Sequence, residues 1–301
     1  MLHVFIINSF SGYGYSSDYI REELKKKENL NCLVFNSEYA GHEAVIAQQI
    51  YGFFPDERIR FYICGGSGTF RNVIQNLYES SRVEFAEIPF GINNDFLHVF
   101  GNESHKFLNL DSMIKGQHIA CDLIKSEECI AHNAISAGYD ALAGRFVHRI
   151  KYSKSLGKIT NHIVGIFAAM LPNSIRANVT FNGKTYNGKF SEIVVAKGCK
   201  LGGMMNITNS AKLNDGLVTV ALLKHRNKLA FFRAITAMAK GDADRVNKYW
   251  IIEKTDSVRI TCQKAINFSA DGELLKTDVM DISVEKGRIK YIVPEDLGGL
   301  Y

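Results

Sequence analysis

Apolar runs broken by glycine-bearing loops, each followed by a helical stripe, pattern the first third of the chain. Leu2 to Ile7 reads as a strand, and it delivers a polar loop at 8–14. A helix then begins near Ser17 and Asp18, with Glu22 and Glu23 early and Lys25 to Lys27 late, the charge order that a helix dipole favours. Asn31 to Phe35 is a second strand, followed by Ser37 and a helix from about Gly41 to Tyr51. Arg58 to Cys64 is a third, ended by Gly65-Gly66-Ser67-Gly68-Thr69, after which Phe70, Val73, Ile74, Leu77 and Tyr78 fall on one helical face. Val83 to Ile88 is a fourth and runs into the loop at 91–95. This alternation predicts a parallel sheet with helices on both faces. Ligands of such sheets bind at the carboxyl ends of the strands, so the loops at 8–14, 65–69 and 91–95 should share one edge.

After about residue 125 the period changes from helical to alternating. Ile175, Ala177, Val179 and Phe181 share one face of a strand, and Asn182-Gly183 signals a hairpin. Ile193 to Ala196, Leu217 to Leu223, Ser257 to Cys262, Ala265 to Ala270 and Val279 to Val284 are further strands, and antiparallel pairing should dominate. One helix interrupts them, Lys228 to Lys240, with Leu229, Phe232, Ile235, Thr236 and Ala239 as its buried stripe. The expected division is 1–124 as an α/β domain and 125–287 as the second domain, with 288–301 able to rejoin the first.

Composition narrows the class. The 301 residues are 46% hydrophobic and 22% charged, the profile of a folded chain. A net charge of +5 suits approach to nucleotides or an anionic membrane and is too small to indicate nucleic-acid binding. The six cysteines are scattered with no Cys-x-x-Cys pair, which points away from zinc and disulfides and towards a reducing cytoplasm. Met1 to Ile7 lacks the basic start of a signal peptide, and the longest apolar run, Ile163 to Leu171, falls short of the roughly 20 residues that span a bilayer. Any membrane contact is expected to be peripheral.

The glycines at 65–68 let the backbone approach a ligand, and the free N–H groups of the following helix favour an anion, so this stretch reads as a phosphate cradle or, more plainly, as a tight strand-to-helix turn. Asp271-Gly272-Glu273 and Asp215-Gly216 are likewise ambiguous between ordinary turns and carboxylates with a chemical task. Asp215 with neighbouring carbonyls would suit Mg²⁺ or Ca²⁺. Arg145, His148, Arg149, Lys151, Lys154 and Lys158 form a basic segment, either facing lipid head groups or simply solvated. His42, His98 and His118 show no metal-ligand spacing.

Together these stretches resemble the diacylglycerol kinase catalytic-domain family of bacterial lipid kinases, relatives of the sphingosine and NAD kinases. Asn8-Ser-Phe-Ser-Gly12 resembles its first loop, Cys64-Gly-Gly-Ser-Gly-Thr69 its Gly-Gly-Asp-Gly-Thr signature, and Pro89-Phe-Gly-Ile-Asn-Asn-Asp-Phe96 its Pro-x-Gly-Thr-x-Asn-Asp-Phe. Ser136-Ala-Gly-Tyr-Asp-Ala141, Gly202-Gly-Met204, Asn214-Asp-Gly-Leu217 and Asp271-Gly-Glu273 follow in order. The resemblance implies a Rossmann-like parallel-sheet domain, a mainly antiparallel β-sandwich domain, and ATP bound between them. It implies that Asn8, Ser11, Ser37, Gly65, Gly66, Ser67, Gly68, Thr69, Gly91, Asn94 and Asp95 line the nucleotide. Asp271 would be the general base supported by Glu273, and Asp215 with the backbone carbonyls of Lys212 and Leu217 would hold Mg²⁺.

Four residues depart from the family pattern. Ser67 stands for aspartate, Asn72 for glutamate, and Ile92 and Asn93 for a threonine and a small residue, all in the nucleotide-facing half. The leading expectation is ATP- and Mg²⁺-dependent phosphorylation of a lipid hydroxyl at the membrane surface, by a cytoplasmic, peripherally associating protein that could form a homodimer. The alternatives are a weakened or inactive relative that binds lipid or nucleotide, and an NAD kinase.

Overall fold

The computed structural model describes residues 1–11, 16–27, 29–91, 94–150 and 174–299. The chain divides into two compact units, one of Met1–Asp122 with Gly287–Tyr301 and one of Leu123–Lys286.

In the first unit, β1 (Leu2–Ile7), β2 (Cys32–Asn36), β3 (Ile59–Gly65) and β4 (Val83–Pro89) lie in the order β2-β1-β3-β4, and each neighbouring pair is parallel. Tyr291, near the end of the last strand of the chain, pairs in parallel with Phe85 of β4. The helices α1 (Ser16–Lys25), α2 (His42–Phe53) and α3 (Ser67–Ile74) form the crossovers. Every residue of β3 is buried, as a strand covered on both faces requires, and this explains its unbroken apolar run. The Tyr291 ring sits among Phe70, Phe96, Phe100 and Phe107, and its hydroxyl donates to Glu87 Oε2 at 3.2 Å. Because the strands run one way, the loops that follow β1, β3 and β4 emerge at a common edge.

The second unit is a mainly antiparallel, β-sandwich-like arrangement. The first half of Lys184–Ala196 pairs with Ile175–Phe181, and its second half pairs with Ala134–Gly138 and Val218–Lys224. Ser257–Ala270 divides in the same way, between Ile175–Phe181 and Ala134–Gly138. These long strands thus close a ring of four around a core that includes Phe181, Phe190, Phe268, Leu222, Ile260 and Met280. The hairpin predicted at Asn182-Gly183 is present, with both residues at positive φ (48° and 70°) and Phe181 opposite Lys184.

The helix Lys228–Lys240 has the predicted ends but turns a different face inward. Phe231, Ala234, Ala237 and Met238 are buried, whereas Leu229 and Phe232, assigned above to the core stripe, are 59% and 39% exposed. The two alanines allow a close approach, and Trp250 Nε1 donates to the Ala234 carbonyl at 3.2 Å. The basic segment from Arg145 to Lys158 has its side chains outside the described residues, as do Ile92 and Asn93 altogether.

Candidate active site

The three strand-end loops of the first unit are tied together. Asn8 Nδ2 donates to Thr69 Oγ1 at 2.8 Å, joining the loop after β1 to α3. Gly91 N and Asn94 Nδ2 both donate to the Gly65 carbonyl at 2.9 Å, joining the loop after β4 to the end of β3. Asn94 also donates to Glu87 Oε1 at 3.0 Å, which links the loop to Tyr291 in the core. Gly91 and Gly66 touch so closely that a Cβ at 91 would lie 2.6 Å from the Gly66 nitrogen, which accounts for glycine at 91 by close packing.

Gly66 is the N-cap of α3 and Ser67 its first residue, so the N–H groups of the first turn have no partner within the helix. Ser67 Oγ and Ser37 Oγ are buried and, among the described residues, make no hydrogen bond. A helix start, two buried hydroxyls without a partner among the described residues and two closely packed glycine loops are features that suit a phosphate group. Ser11 and Asp95 lie in the two flanking loops, Ser11 half-buried and Asp95 buried at the start of a 3-10 segment. Asn72, one of the departures, donates from Nδ2 to Glu43 Oε1 at 2.9 Å. Glu43 is itself buried, and its Oε2 makes no hydrogen bond among the described residues. A carboxylate therefore stands beside position 72 after all, supplied by α2. No pattern within the glycine loop points to it.

In the second unit Asp271 is at once a turn residue and a buried carboxylate. With φ of 48° and 91°, Asp271 and Gly272 make the hairpin turn in which Ala270 faces Glu273. The Asp271 side chain folds back to accept from His132 N (2.7 Å), His132 Nδ1 (2.8 Å), Asn133 N (3.1 Å) and Ala134 N (2.9 Å). Burial pushes its carboxyl up, but the adjacent His132 and the backbone donors outweigh that and hold it below the ordinary 3.8. It is ionised at neutral pH, so His132 Nδ1 carries the shared proton. Glu273 is half-buried across the turn, and among the described residues no hydrogen bond joins the two carboxylates. Adjacent sequence did not suggest His132, which lies on a different strand connection.

Asp215 Oδ1 accepts from Leu217 N at 3.1 Å. Lys212 is exposed at the start of that loop. The group facing Asp215 Oδ1 and the Leu217 carbonyl, however, is the ammonium of Lys197, at 2.7 and 3.0 Å. Lys254 Nζ adds a second positive charge, 3.7 Å from Asp215 Oδ2. The donor set proposed for Mg²⁺ already holds a cation from this chain and does not fit a metal.

Asp140 and Glu192 form a further acidic pair, which no motif in the sequence signals. Asp140 accepts from Ser136 Oγ at 2.7 Å, and its backbone N–H donates to Glu192 Oε2 at 3.0 Å. Burial raises both carboxyl groups above their usual range, that of Glu192 further because of the neighbouring Asp140.

The model of the diacylglycerol kinase catalytic domain matches residues 3–126, and that of the YegS C-terminal NAD kinase beta sandwich-like domain matches 133–293, more than half of the chain. A diacylglycerol kinase of Bacillus subtilis (strain 168) is 25% identical over 220 residues, covering 69% of each chain. One of Staphylococcus carnosus (strain TM300) is 23% identical over 214 residues, covering 70% of this chain and 69% of that one. Among solved structures, a diacylglycerol kinase from Bacillus anthracis str. Sterne superposes with a TM-score of 0.68 at 17% identity, covering 98% of this chain and 97% of that one, and so shares its fold. The chain belongs to the diacylglycerol-kinase-like, YegS-type lipid kinase family. No helix among the described residues is long and apolar enough to cross a membrane.

Proposed function

We propose that this protein transfers the γ-phosphate of ATP to a lipid hydroxyl. The observation that carries the reading is the set of donors at the strand ends of the first unit: the first turn of α3, the Ser37 and Ser67 hydroxyls, buried without a partner among the described residues, and the Gly66–Gly91 contact. In this proposal Met1–Asp122 with Gly287–Tyr301 is a Rossmann-like nucleotide-binding domain, and Mg²⁺ bound by the phosphates of the nucleotide would neutralise their charge. The second unit carries the proton acceptor, Asp271. As the acceptor oxygen bonds to the γ-phosphorus and the bond to the β-phosphate oxygen breaks, the hydroxyl proton passes to the Asp271 carboxylate. Three backbone donors fix that carboxylate; the fourth bond, from the His132 side chain, is the one an incoming hydroxyl would replace. A loose transition state asks little of the base, so a carboxylate held below its ordinary pKa suits the step.

A second reading, a weakened relative that binds nucleotide or lipid without turnover, draws support from the neutral Ser67 and from the saturation of Asp271. The deciding experiment measures ATP binding by calorimetry with and without Mg²⁺, then γ-phosphate transfer to vesicles containing diacylglycerol, with NAD⁺ offered separately as acceptor. Lipid-dependent transfer, reduced roughly 100-fold or more by Asp271→Asn, is expected. Binding without transfer would favour the second reading, transfer to NAD⁺ alone would move the assignment to an NAD kinase, and no nucleotide binding would sink the kinase reading. Asp271→Asn needs a melting curve beside it, because an amide NH₂ would face N–H donors and weaken the hairpin as well.

A further inference from the structure

We infer that Lys197 is the resident cation of the 212–217 loop: its ammonium fills the position where the family resemblance puts a divalent metal, and this loop takes up no Mg²⁺. The backbone prepares the site. Lys197 follows directly on the strand Lys184–Ala196, its own N–H donates to the Asn133 carbonyl at 2.8 Å, and Ala196 stands opposite Thr219 of the strand that begins just after Leu217. That register aims the lysine across the strand pair at the loop. The side chain is 1% exposed, and its Nζ reaches Asp215 Oδ1 at 2.7 Å and the Leu217 carbonyl at 3.0 Å.

Both oxygens are among the three that the family resemblance implies as metal ligands, with the Lys212 carbonyl, and each is a hydrogen-bond acceptor for an ammonium. Mg²⁺ asks for oxygens at about 2.1 Å in a near-octahedral shell, which the ammonium already in contact with both precludes. Charge gives the same result. Asp215 contributes one negative charge, and Lys197 and Lys254 contribute two positive charges within 3.7 Å of its carboxylate, so a divalent ion would enter a site that is already net positive. Displacing Lys197 would leave a buried ammonium without its carboxylate, a strongly unfavourable state. Any Mg²⁺ requirement in turnover then belongs to the nucleotide alone. The inference stands apart from the kinase reading, since an inactive relative would carry the same lysine.

Thermal unfolding of the nucleotide-free full chain, followed in EDTA and in millimolar Mg²⁺, tests it. The wild type is expected to melt at the same temperature in both. Lys197→Met is expected to melt more than ~5 °C lower in EDTA, because the ion pair is broken. A wild-type midpoint raised by Mg²⁺, with no such rise in Asp215→Asn, would overturn the inference. Should Lys197→Met fail to fold, calorimetric titration of Mg²⁺ into the wild type decides. Absence of binding heat upholds the inference, and binding heat that disappears in Asp215→Asn refutes it.

Discussion

Gly91→Ala puts the phosphate cradle to its sharpest test. The backbone at 91 lies outside the left-handed region, so alanine meets no conformational objection there; the obstacle is space. Its Cβ would stand 2.6 Å from the Gly66 nitrogen, 3.1 Å from the Gly65 carbonyl carbon and closest of all to Gly66 Cα, all of them backbone atoms that cannot swing aside. Restoring ordinary contact separates the two loops by roughly 1 Å, which stretches the Gly91 N and Asn94 Nδ2 bonds to the Gly65 carbonyl, both now 2.9 Å. Overpacking of this kind costs about 1–3 kcal/mol and a weakened hydrogen bond about 1 kcal/mol more. A total near 3 kcal/mol lowers the melting temperature by roughly 10 °C for a unit of this size. Because a 1 Å displacement of positioning groups can remove about two orders of magnitude of function, ATP affinity by calorimetry should fall roughly 100-fold. Gly52→Ala is the control: it sits inside α2 with nothing within 4 Å of the added carbon, and should raise stability by about 0.5–1 kcal/mol. If Gly91→Ala melts and binds ATP as the wild type does, close approach is not what holds these loops together.

Four further outcomes follow from named contacts. Ser67→Asp places a carboxylate at the start of α3, so ATP should bind several-fold tighter in Mg²⁺ and more weakly in EDTA, whereas equal change in both would show that no metal–phosphate unit sits there; Asn72→Glu should instead lower the melting temperature, since the new carboxylate faces buried Glu43. If the protein docks on membranes through Lys228–Lys240, where exposed Leu229 and Phe232 lie beside exposed Lys224, Arg226, Lys228 and Arg233, then Leu229→Ser with Phe232→Ser should cut sedimentation with anionic vesicles about tenfold, and undiminished binding would rule that face out. His3 is held at about 4 against an ordinary 6.5, first by burial and then by Arg60, so the unfolded chain takes up its proton first; stability is intact above pH 6.5 and declines as pH falls towards 4, by under about 3 kcal/mol after screening, and His3→Gln should flatten that part of a urea-unfolding pH series.

Local chemistry made much of the fold legible. The glycine break after β3, the Asn182-Gly183 hairpin and both ends of the helix Lys228–Lys240 follow from residues adjacent to the features they create. The inward face of that helix was not legible, for a physical reason. Leu229, Phe231, Phe232, Ala234, Ile235, Ala237 and Met238 put apolar groups nearly all the way round, so periodicity alone cannot choose a stripe. The choice fell to the stripe with small residues, Ala234 and Ala237, because the helix packs close enough for Trp250 to reach the Ala234 carbonyl. Larger side chains at 229 and 232 would have held it away.

The site divides along the same line. A motif identifies a residue by its neighbours in the chain, whereas the chemistry of that residue is set by what meets it in space. Asp271-Gly272 offered a choice between hairpin turn and reactive carboxylate, and the two are compatible, because the turn geometry is what lets the side chain fold back onto His132, 139 residues away. Asn72 looked like a lost charge, yet Glu43 stands 2.9 Å from it on α2. Asp215 looked like a retained metal ligand, yet its counter-ion is Lys197, 18 residues earlier and aimed at it by the register of two antiparallel strands. In each case the sign of the local charge balance was decided by a partner that the motif does not contain. Persistence of Asp215 within its motif is therefore no argument for a metal: the same carboxylate that would bind Mg²⁺ is equally required to neutralise a buried lysine, and only the second requirement is met by groups the chain itself supplies.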